Sequence, residues 1–431
     1  MSVNPNQQTE QQTPESGLRF DRAWFVREAE KGVTPTDPDW NLYSDRLVST
    51  EGDLDPGLER LDGLGTPDPA EFGRAIEENE VTIAYSLQQA VVDASGEPVD
   101  AVYDALTRNQ ANQIPNTHSM VGRDNNPSPG PNDPDGAEGQ RRYLVMQGGK
   151  ADATMEPDAT EADPVPVELT YMGEKVRSYH IYQPEGSTLL ALQSTDDSDT
   201  MTVTIEDEGA ATTDEITLNG TTPVSTTVEF DNIDAFELSE PATGDVTLHI
   251  NDGTDADPTV GSELSKLDGG VTLADGGGER EGDTGVPALG AGSAPSPIDQ
   301  PFEDFCGSIF NFAFDGNAPD PDLNNITLEV ANNLEARPSG DGGGCRPSIE
   351  EGNREITIEA NVVGERASHD ILRSAYTNNP ADMGWELSRT IFTFPSSRCT
   401  EAPAFARESD EAYAETDGTW ESIGVELQNN A

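Results

Sequence analysis

The fold of this 431-residue chain is decided by two similar stretches, "AIEENEVTIAYSLQQA" at 75–90 and "SIEEGNREITIEANVV" at 348–363. Both begin with Ile-Glu-Glu, pass through an Asn, and continue as a run in which apolar and polar residues alternate. Such alternation is typical of a β-strand with one buried face. A helical pattern follows each stretch, at 97–110 and at 368–379. Because strands, long loops and a helix recur in the same order, the sequence predicts a duplicated domain.

The segment between the two copies has a different pattern. Residues 188–252 contain five short Thr- and Val-rich stretches separated by turns, which predicts a small antiparallel sandwich. Because the insert has its own apolar residues, we expect it to form its own core and to fold separately from the repeats. Those residues are Val203, Ile205, Val228, Phe236 and Leu248.

The predicted fold class is therefore mainly β. Two tandem β-barrel or β-sandwich domains, each with one packed α-helix, flank the inserted sandwich. The predicted boundaries are a flexible arm at 1–19, a first repeat at 20–187, the sandwich at 188–252, a linker at 253–300 and a second repeat at 301–431.

The charge restricts the classes of partner. The chain has 82 acidic and 24 basic residues, a formal net charge of −58, and the acidic residues are spread along its whole length. This composition indicates adaptation to molar salt, where a Debye length of about 3 Å screens self-repulsion. Proteins that bind nucleic acid tightly need basic patches, and the sequence contains no cluster of basic residues. Close passage of DNA without binding stays compatible with it.

No motif for catalysis is visible in the sequence. It lacks a nucleophile elbow, a phosphate loop and a dinucleotide fingerprint, and its histidines lack partners at metal-ligand spacing. We therefore expect no enzyme, no cofactor and no metal centre. The histidines are His118, His180, His249 and His369.

The cysteines and two acidic turns leave alternatives open. Cys345 and Cys399 could form a bridge, although free thiols are expected for all three cysteines, including Cys306, in a cytoplasmic product. The turns at 252–258 and 315–322 are candidates for weak binding of Ca²⁺, Mg²⁺ or K⁺, but they lack the pattern of a calcium loop.

The ends of the sequence and its hydropathy bear on location. The polar start "MSVNPNQQTEQQTPESG" has no signal-peptide pattern, and no stretch approaches the ~20 apolar residues of a membrane span. We therefore expect the protein to be made in the cytoplasm and to have no contact with a membrane.

The second repeat carries a resemblance. "ITLEVANNLEARPSG" at 326–340, a loop, and then "SIEEGNREITIEANVV" at 348–363 resemble the two-domain tail tube proteins of long-tailed, siphovirus-like viruses. The first repeat is similar to the same family at "GVTPTDPDW" and at "VELTYMGEKVRSYHIYQP". With the acidic composition, the resemblance implies a virus of a halophilic archaeon, and the insert resembles the immunoglobulin-like domains that decorate virions.

The resemblance implies a structural virion protein. Three chains would supply six tube domains to each ring, and stacked rings would form the tail tube through which viral DNA passes during ejection. Expected partners are other copies of the chain and the tape measure, tail terminator and baseplate proteins. The long loops at 51–79 and 332–353 would reach the next ring. Candidate contact residues in them are Leu61, Phe72, Arg74, Leu334, Arg337 and Arg346.

The residues that alternate with the apolar positions of the two strands are polar, and we expect them to line the bore without binding phosphate. These lumen candidates are Thr82, Ser86, Gln88, Thr357, Glu359 and Asn361.

Two other classes compete with the tail tube. A secreted or surface-layer adhesin would suit the acidic sandwich and the sequons at Asn219 and Asn325, but we would expect an adhesin to show signal and anchor patterns, and none is visible in this sequence. A capsid or baseplate protein is the second rival, and the long spine helix expected of a capsid protein is missing.

Overall fold

A computed structural model describes most of the chain. The described residues are 20–35, 38, 40–55, 58–62, 69–74, 78–88, 100–106, 116–126, 137–157, 164–207, 211–272, 279–280, 282–289, 302, 313–314, 322–338, 347–363, 380–387, 390–401 and 415–429. The described fold is mainly β, as the alternating sequence patterns predict.

The first repeat contains ten strands and one helix within its described residues. They are β1 (Arg22–Arg27), β2 (Asn41–Leu42), β3 (Leu47–Asp55), β4 (Leu58–Asp62), β5 (Pro69–Arg74), β6 (Glu78–Ser86), α1 (Ala101–Leu106), β7 (His118–Asn126), β8 (Ala137–Met155), β9 (Pro166–Met172) and β10 (Lys175–Pro184).

The strands β7 and β8 extend into residues 123–140, where the polar composition favours a loop. Their pairing there joins polar residues of both strands, such as Asp124 with Arg142 and Asn126 with Gln140.

The strands of the insert and of the second repeat follow. In the insert they are β11 (Leu190–Ser194), β12 (Thr202–Glu206), β13 (Thr213–Thr217), β14 (Val224–Ser225), β15 (Ala235–Leu238), β16 (Val246–Asn251), β17 (Val260–Leu267), β18 (Val271–Thr272), β19 (Glu279–Arg280) and β20 (Gly285–Val286). In the second repeat they are β21 (Ala313–Phe314), β22 (Asp322–Ala331), β23 (Leu334–Pro338), β24 (Pro347–Glu351), β25 (Glu355–Val363), β26 (Ala381–Glu386), β27 (Thr390–Glu401), β28 (Glu415–Glu421) and β29 (Glu426–Asn429).

Strand pairing follows the same order in both repeats. The order β3-β6-β9-β8 in the first repeat corresponds to β22-β25-β28-β27 in the second. In each repeat one long strand, β8 or β27, also pairs in a second group of strands, with β7 and β10 or with β26 and β29. The two repeats join directly, because β8 pairs with β22 and a 15-stranded network results.

One hydrophobic core spans both repeats. It contains the alternating residues of the opening stretches, including Ile83 and Ile358, which are buried. Helix α1 packs between the repeats, since the Tyr103 hydroxyl is 2.9 Å from that of Thr390. The carboxylate of Asp100 accepts a hydrogen bond from the backbone N–H of Val102 and so caps this helix. The helix predicted at 97–110 is thus described as six residues, and the one predicted at 368–379 lies outside the described residues.

The insert extends beyond its predicted boundary. Its two four-stranded sheets include β17 and β20, which lie in the segment 253–300 that the composition predicts as a linker. The prediction of a linker is therefore wrong for these strands. The Gly- and Asp-rich turns around them give the segment a loop-like composition, while the strands themselves are short.

The prediction of an independent core for the insert is also wrong. A single cluster of buried apolar side chains joins the insert to the outer face of the first repeat. From the first repeat it includes Trp24, Val121 and Tyr143, and from the insert Leu192 and Phe236. The sandwich is too small to bury all of its apolar surface alone, and it completes its core on the first repeat.

Candidate assembly surfaces

The sheet that crosses the repeat boundary has one polar face. On it, residues directly opposite each other on neighbouring strands form a row that alternates carboxylates with hydroxyls. The row runs Ala84, Glu168, Thr154, Glu329, Thr357, Glu421 and Arg398. Like charges directly opposite each other destabilise a sheet, so each threonine in the row separates two glutamates. We call this surface the threonine–glutamate face.

Two neighbouring rows continue this face. Thr82, Thr170 and Asp152 form one of them, and the hydroxyls of the two threonines are 3.2 Å apart. Thr327, Glu359 and Thr419 form the other. Burial raises the pKa of Asp152, and the charges of Glu329 and Glu80 add to the effect.

The lumen candidates separate into two groups. Thr82, Thr357, Glu359 and Asn361 lie on the threonine–glutamate face, where Glu359 is exposed and the other three are half-buried. The prediction is wrong for the other two.

Ser86 and Gln88 are buried, so neither can line an open surface. The segment before β3 covers them. Ser44 donates its hydroxyl to the Ser86 carbonyl at 2.7 Å, and the Gln88 amide donates to Asp45 at 2.9 Å. Alternation along β6 predicts the same exposure for all its polar positions, but a segment some forty residues away decides which of them meet solvent.

The long loops predicted at 51–79 and 332–353 contain β-hairpins. β4 pairs with β5, with Leu61 opposite Glu71, Arg60 opposite Phe72 and Leu58 opposite Arg74. The hairpin is backbone-paired rather than an open loop.

In the second repeat, β23 pairs with β24. Leu334 is half-buried, whereas Arg337 is exposed and forms ion pairs with Glu335 at 3.0 Å and with Glu350 at 2.7 Å. Arg346 lies outside the described residues. Contact of either hairpin with a neighbouring ring stays a prediction.

The hairpin of the second repeat is anchored on the first repeat. Lys150 donates to the Ile349 carbonyl at 2.9 Å and forms an ion pair with Glu351, and Lys31 donates to the same carbonyl at 3.3 Å. Glu174 accepts a hydrogen bond from the Ile349 N–H at 3.2 Å. Two of the four lysines of the chain are thus used to hold one hairpin at the boundary between the repeats. The sequence shows no signal for this contact, because its partners are 175 to 318 positions apart.

A buried ionic cluster fixes the insert to the first repeat. Asp234 of the insert is 2% exposed and accepts hydrogen bonds from Arg123 at 3.3 Å, from the Tyr143 hydroxyl at 3.0 Å and from Arg141. Arg123 also donates to Asp21 at 3.0 Å. Burial lowers the pKa of Arg123, but the two carboxylates outweigh it and the net pKa is raised. The cluster is a structural joint, since it has two cations and two anions and is closed to solvent on the Asp234 side.

A second polar cluster lies inside the first repeat. Burial raises the pKa of Asp104, but hydrogen bonds from His118 (2.6 Å) and Arg27 (2.8 Å) outweigh burial, and the net pKa is lowered. His118 is therefore a partnered core histidine. His180 lies on β10 and His249 on β16 of the insert, whereas His369 lies outside the described residues.

The cysteines and the two acidic turns singled out in the sequence lie only partly within the described residues. Cys399 has a free thiol that donates to the Glu401 carbonyl, and burial raises its pKa. Cys306 and Cys345 lie outside the described residues. The turn at 252–258 is closed by its own backbone bridge between Thr254 and Asp257, and most of 315–322 is not described.

Within the described ranges, no group of three or more His, Cys, Asp or Glu residues is arranged to hold a metal ion. None of the described helices is both long and apolar enough to cross a membrane. A cleft of about 290 Å³ separates the first repeat from the insert, and its lining includes Lys175, Arg177 and Asp283 but no His or Cys.

Comparison of the chain with protein-family models found no match, and a search of curated proteins found no relative.

Proposed function

We propose that this chain is a structural virion protein that forms the tail tube of a long-tailed virus of a halophilic archaeon. The observation that carries the proposal is the sheet that runs from one repeat into the other with a single polar face. A sheet that joins two similar domains in a line can be extended by further copies and closed into a ring. Closure removes exposed strand edges, which are otherwise sites of aggregation.

The threonine–glutamate face suits the wall of such a ring. Across its three rows, the described residues include one basic side chain, Arg398, beside hydroxyls and carboxylates. Tight binding of DNA depends on Lys and Arg contacts to phosphates with release of counterions. A wall of this composition offers few such contacts, so DNA would pass without being held. In molar salt, repulsion extends only ~3 Å, and the lack of attraction matters more.

The duplication suggests the copy number. Two domains in each chain give six domains in a ring of three chains, which has threefold symmetry and approximate sixfold symmetry. The insert packs on the strand group that includes β1, β7 and β10, and we place it on the outside of the ring.

Electron microscopy of the purified protein in molar salt tests the proposal. We expect rings or tubes with a central hole, and native mass spectrometry of a single ring should give three times the chain mass of 46.1 kDa. Flat lattices would favour a surface-layer protein and overturn the proposal, and so would a monomer at all concentrations. Six chains in each ring would refute the threefold arrangement.

A further inference from the structure

The joint between the two repeats is made by one pair of strands. β8 and β22 pair antiparallel, with Ala153 opposite Val330 and Met155 opposite Leu328. All four side chains are 2% exposed or less. β22 therefore covers the edge of β8 that faces away from β9.

Each strand of this joint has a counterpart in the other repeat. In β3 and β22, Glu51 and Glu329 hold equivalent positions, because Glu51 is opposite Thr82 and Glu329 is opposite Thr357 in the matching "VTI" and "ITI" strands. It follows that Gly52 of β3 is equivalent to Val330 of β22.

The same comparison applies to β8 and β27. Ala153 is opposite Leu169, and Cys399 is opposite Trp420. Leu169 and Trp420 are equivalent in turn, since they are opposite Ile83 and Ile358. Cys399 of β27 is therefore equivalent to Ala153 of β8, and Arg398 is equivalent to Asp152.

The edges of these two counterparts are open within one chain. Among the described strands, β3 pairs only with β6, and residues 398–401 of β27 pair only with β28. Arg398 is exposed and Cys399 is half-buried, whereas their equivalents in β8 are less exposed, since Asp152 is half-buried and Ala153 is buried.

Exposed apolar side chains mark both edges. Among the large apolar side chains of the described residues, Ile423 (79% exposed) and Val48 (61% exposed) are the two most exposed. Val48 lies on β3, and Ile423 lies two residues after β28, the strand that pairs with residues 398–401. Unpaired strand edges of this kind are templates for pairing with another chain.

We infer that the end of β27 in one chain pairs antiparallel with β3 of a second copy. Arg398 and Cys399, which precede the β-bulge between Cys399 and Glu401, then keep the register that β8 and β22 use within the chain. Cys399 then lies opposite Gly52 of the second copy, and Arg398 lies opposite Asp53. This inference deepens the proposed function and rests on it, because it names the surface through which the chains of a ring join.

Two features support this register. It places one of the few basic residues of a chain with net charge −58 opposite an aspartate, at an edge that has no partner among the described strands. It also gives every chain two different edges, the end of β27 and the edge of β3, and each pairs with the other kind of edge on a neighbouring chain. A head-to-tail contact of this kind closes into a ring when the rotation between neighbouring domains allows it. The joint between the two repeats uses the same strand pairing, so each chain contributes this rotation twice, once within itself and once to its neighbour.

A disulfide between chains tests the register. The test protein carries Gly52→Cys with Cys306→Ser and Cys345→Ser, so that Cys399 is the other thiol. Opposite residues of an antiparallel pair have Cα atoms about 4.5–5.5 Å apart, which is within the range that a disulfide spans. After mild oxidation in molar salt, non-reducing gels should show a covalent trimer.

Two controls define the register. Glu51→Cys in the same background places the thiol on the other face of β3. Cys399→Ser removes the second thiol of the intended disulfide. Both variants should give at least tenfold less cross-linking than Gly52→Cys. The pair Asp53→Cys with Arg398→Cys, in a chain that also carries Cys399→Ser, tests the register independently if Gly52→Cys fails to fold.

The outcomes separate this inference from the proposed function. Rings that form normally, but do not cross-link in either design, would overturn the pairing and leave the tube proposal intact. A cross-linked open ladder without rings would support the pairing and overturn the tube. Equal cross-linking of Glu51→Cys and Gly52→Cys would overturn the register.

Discussion

Replacement of Asp234 by Asn should greatly weaken the attachment of the insert. The substitution keeps the shape of the side chain and removes the charge that two buried guanidinium groups share. Arg123 keeps Asp21 as a partner at 3.0 Å, whereas Arg141 keeps weaker contacts to the Asn232 side chain and the Ile233 carbonyl. Loss of one partner of a buried ion pair costs about 3–5 kcal/mol, because the remaining charge stays buried. Since Arg123 keeps a carboxylate, we expect the lower end, about 3 kcal/mol.

Urea unfolding in molar salt measures this cost, with tryptophan fluorescence as the signal because Trp24 lies against Arg123. Asp231→Asn is the matched control, since Asp231 is exposed in the same loop and its loss should change the free energy of unfolding by less than about 0.5 kcal/mol. Salt should screen the effect of Asp234 only weakly, because the pair is buried. A difference below about 1 kcal/mol between the two variants would refute the reasoning.

Three further outcomes are expected. Burial raises the pKa of Asp100 to about 7 from a usual value of 3.8, so between about pH 4 and 7 the folded chain binds a proton that the unfolded chain has released. The free energy of unfolding should therefore fall by up to ~1.4 kcal/mol per pH unit in this range. Urea unfolding of Asp100→Asn should lack that part of the pH dependence. Replacement of residues 188–289 by a Gly/Ser bridge should abolish soluble assembly, seen by gel filtration, because it exposes the apolar outer face of the first repeat. Thr357→Arg with Glu359→Arg should leave tails normal by microscopy and slow genome ejection, whereas Glu240→Arg on the insert should leave ejection unchanged. Unchanged ejection in the double variant would contradict a non-binding wall.

The repeated strand pattern could be predicted from the sequence because it is local. Alternation in 75–90 and 348–363 states which residues face a core, and Val81, Ile83, Ile356 and Ile358 are indeed buried. Turn residues between short Thr- and Val-rich stretches likewise indicate a sandwich. These signals depend on neighbours within a few positions, so no tertiary contact is needed to recognise them.

The exposure of polar positions could not be predicted in the same way. Thr82 and Ser86 alternate identically along β6, yet only Thr82 faces partly outward, because residues 44–45 fold over the end of the strand. The boundary of the insert has the same cause. Strand β17 is amphipathic only weakly in sequence, and its pairing with β16 defines it.

By itself, the sequence determined the mainly-β class, the repeated strand pattern and the scarcity of basic residues, because local alternation and composition encode all three. Only the tertiary structure decided how the pieces join: the pairing of Met155 with Leu328, the anchoring of Ile349 by Lys150, and the burial of Asp234 between two arginines. Each of these contacts links residues about 90 to 200 positions apart. Contacts at such separations form only when the whole chain has packed, and no pattern within either partner segment specifies them.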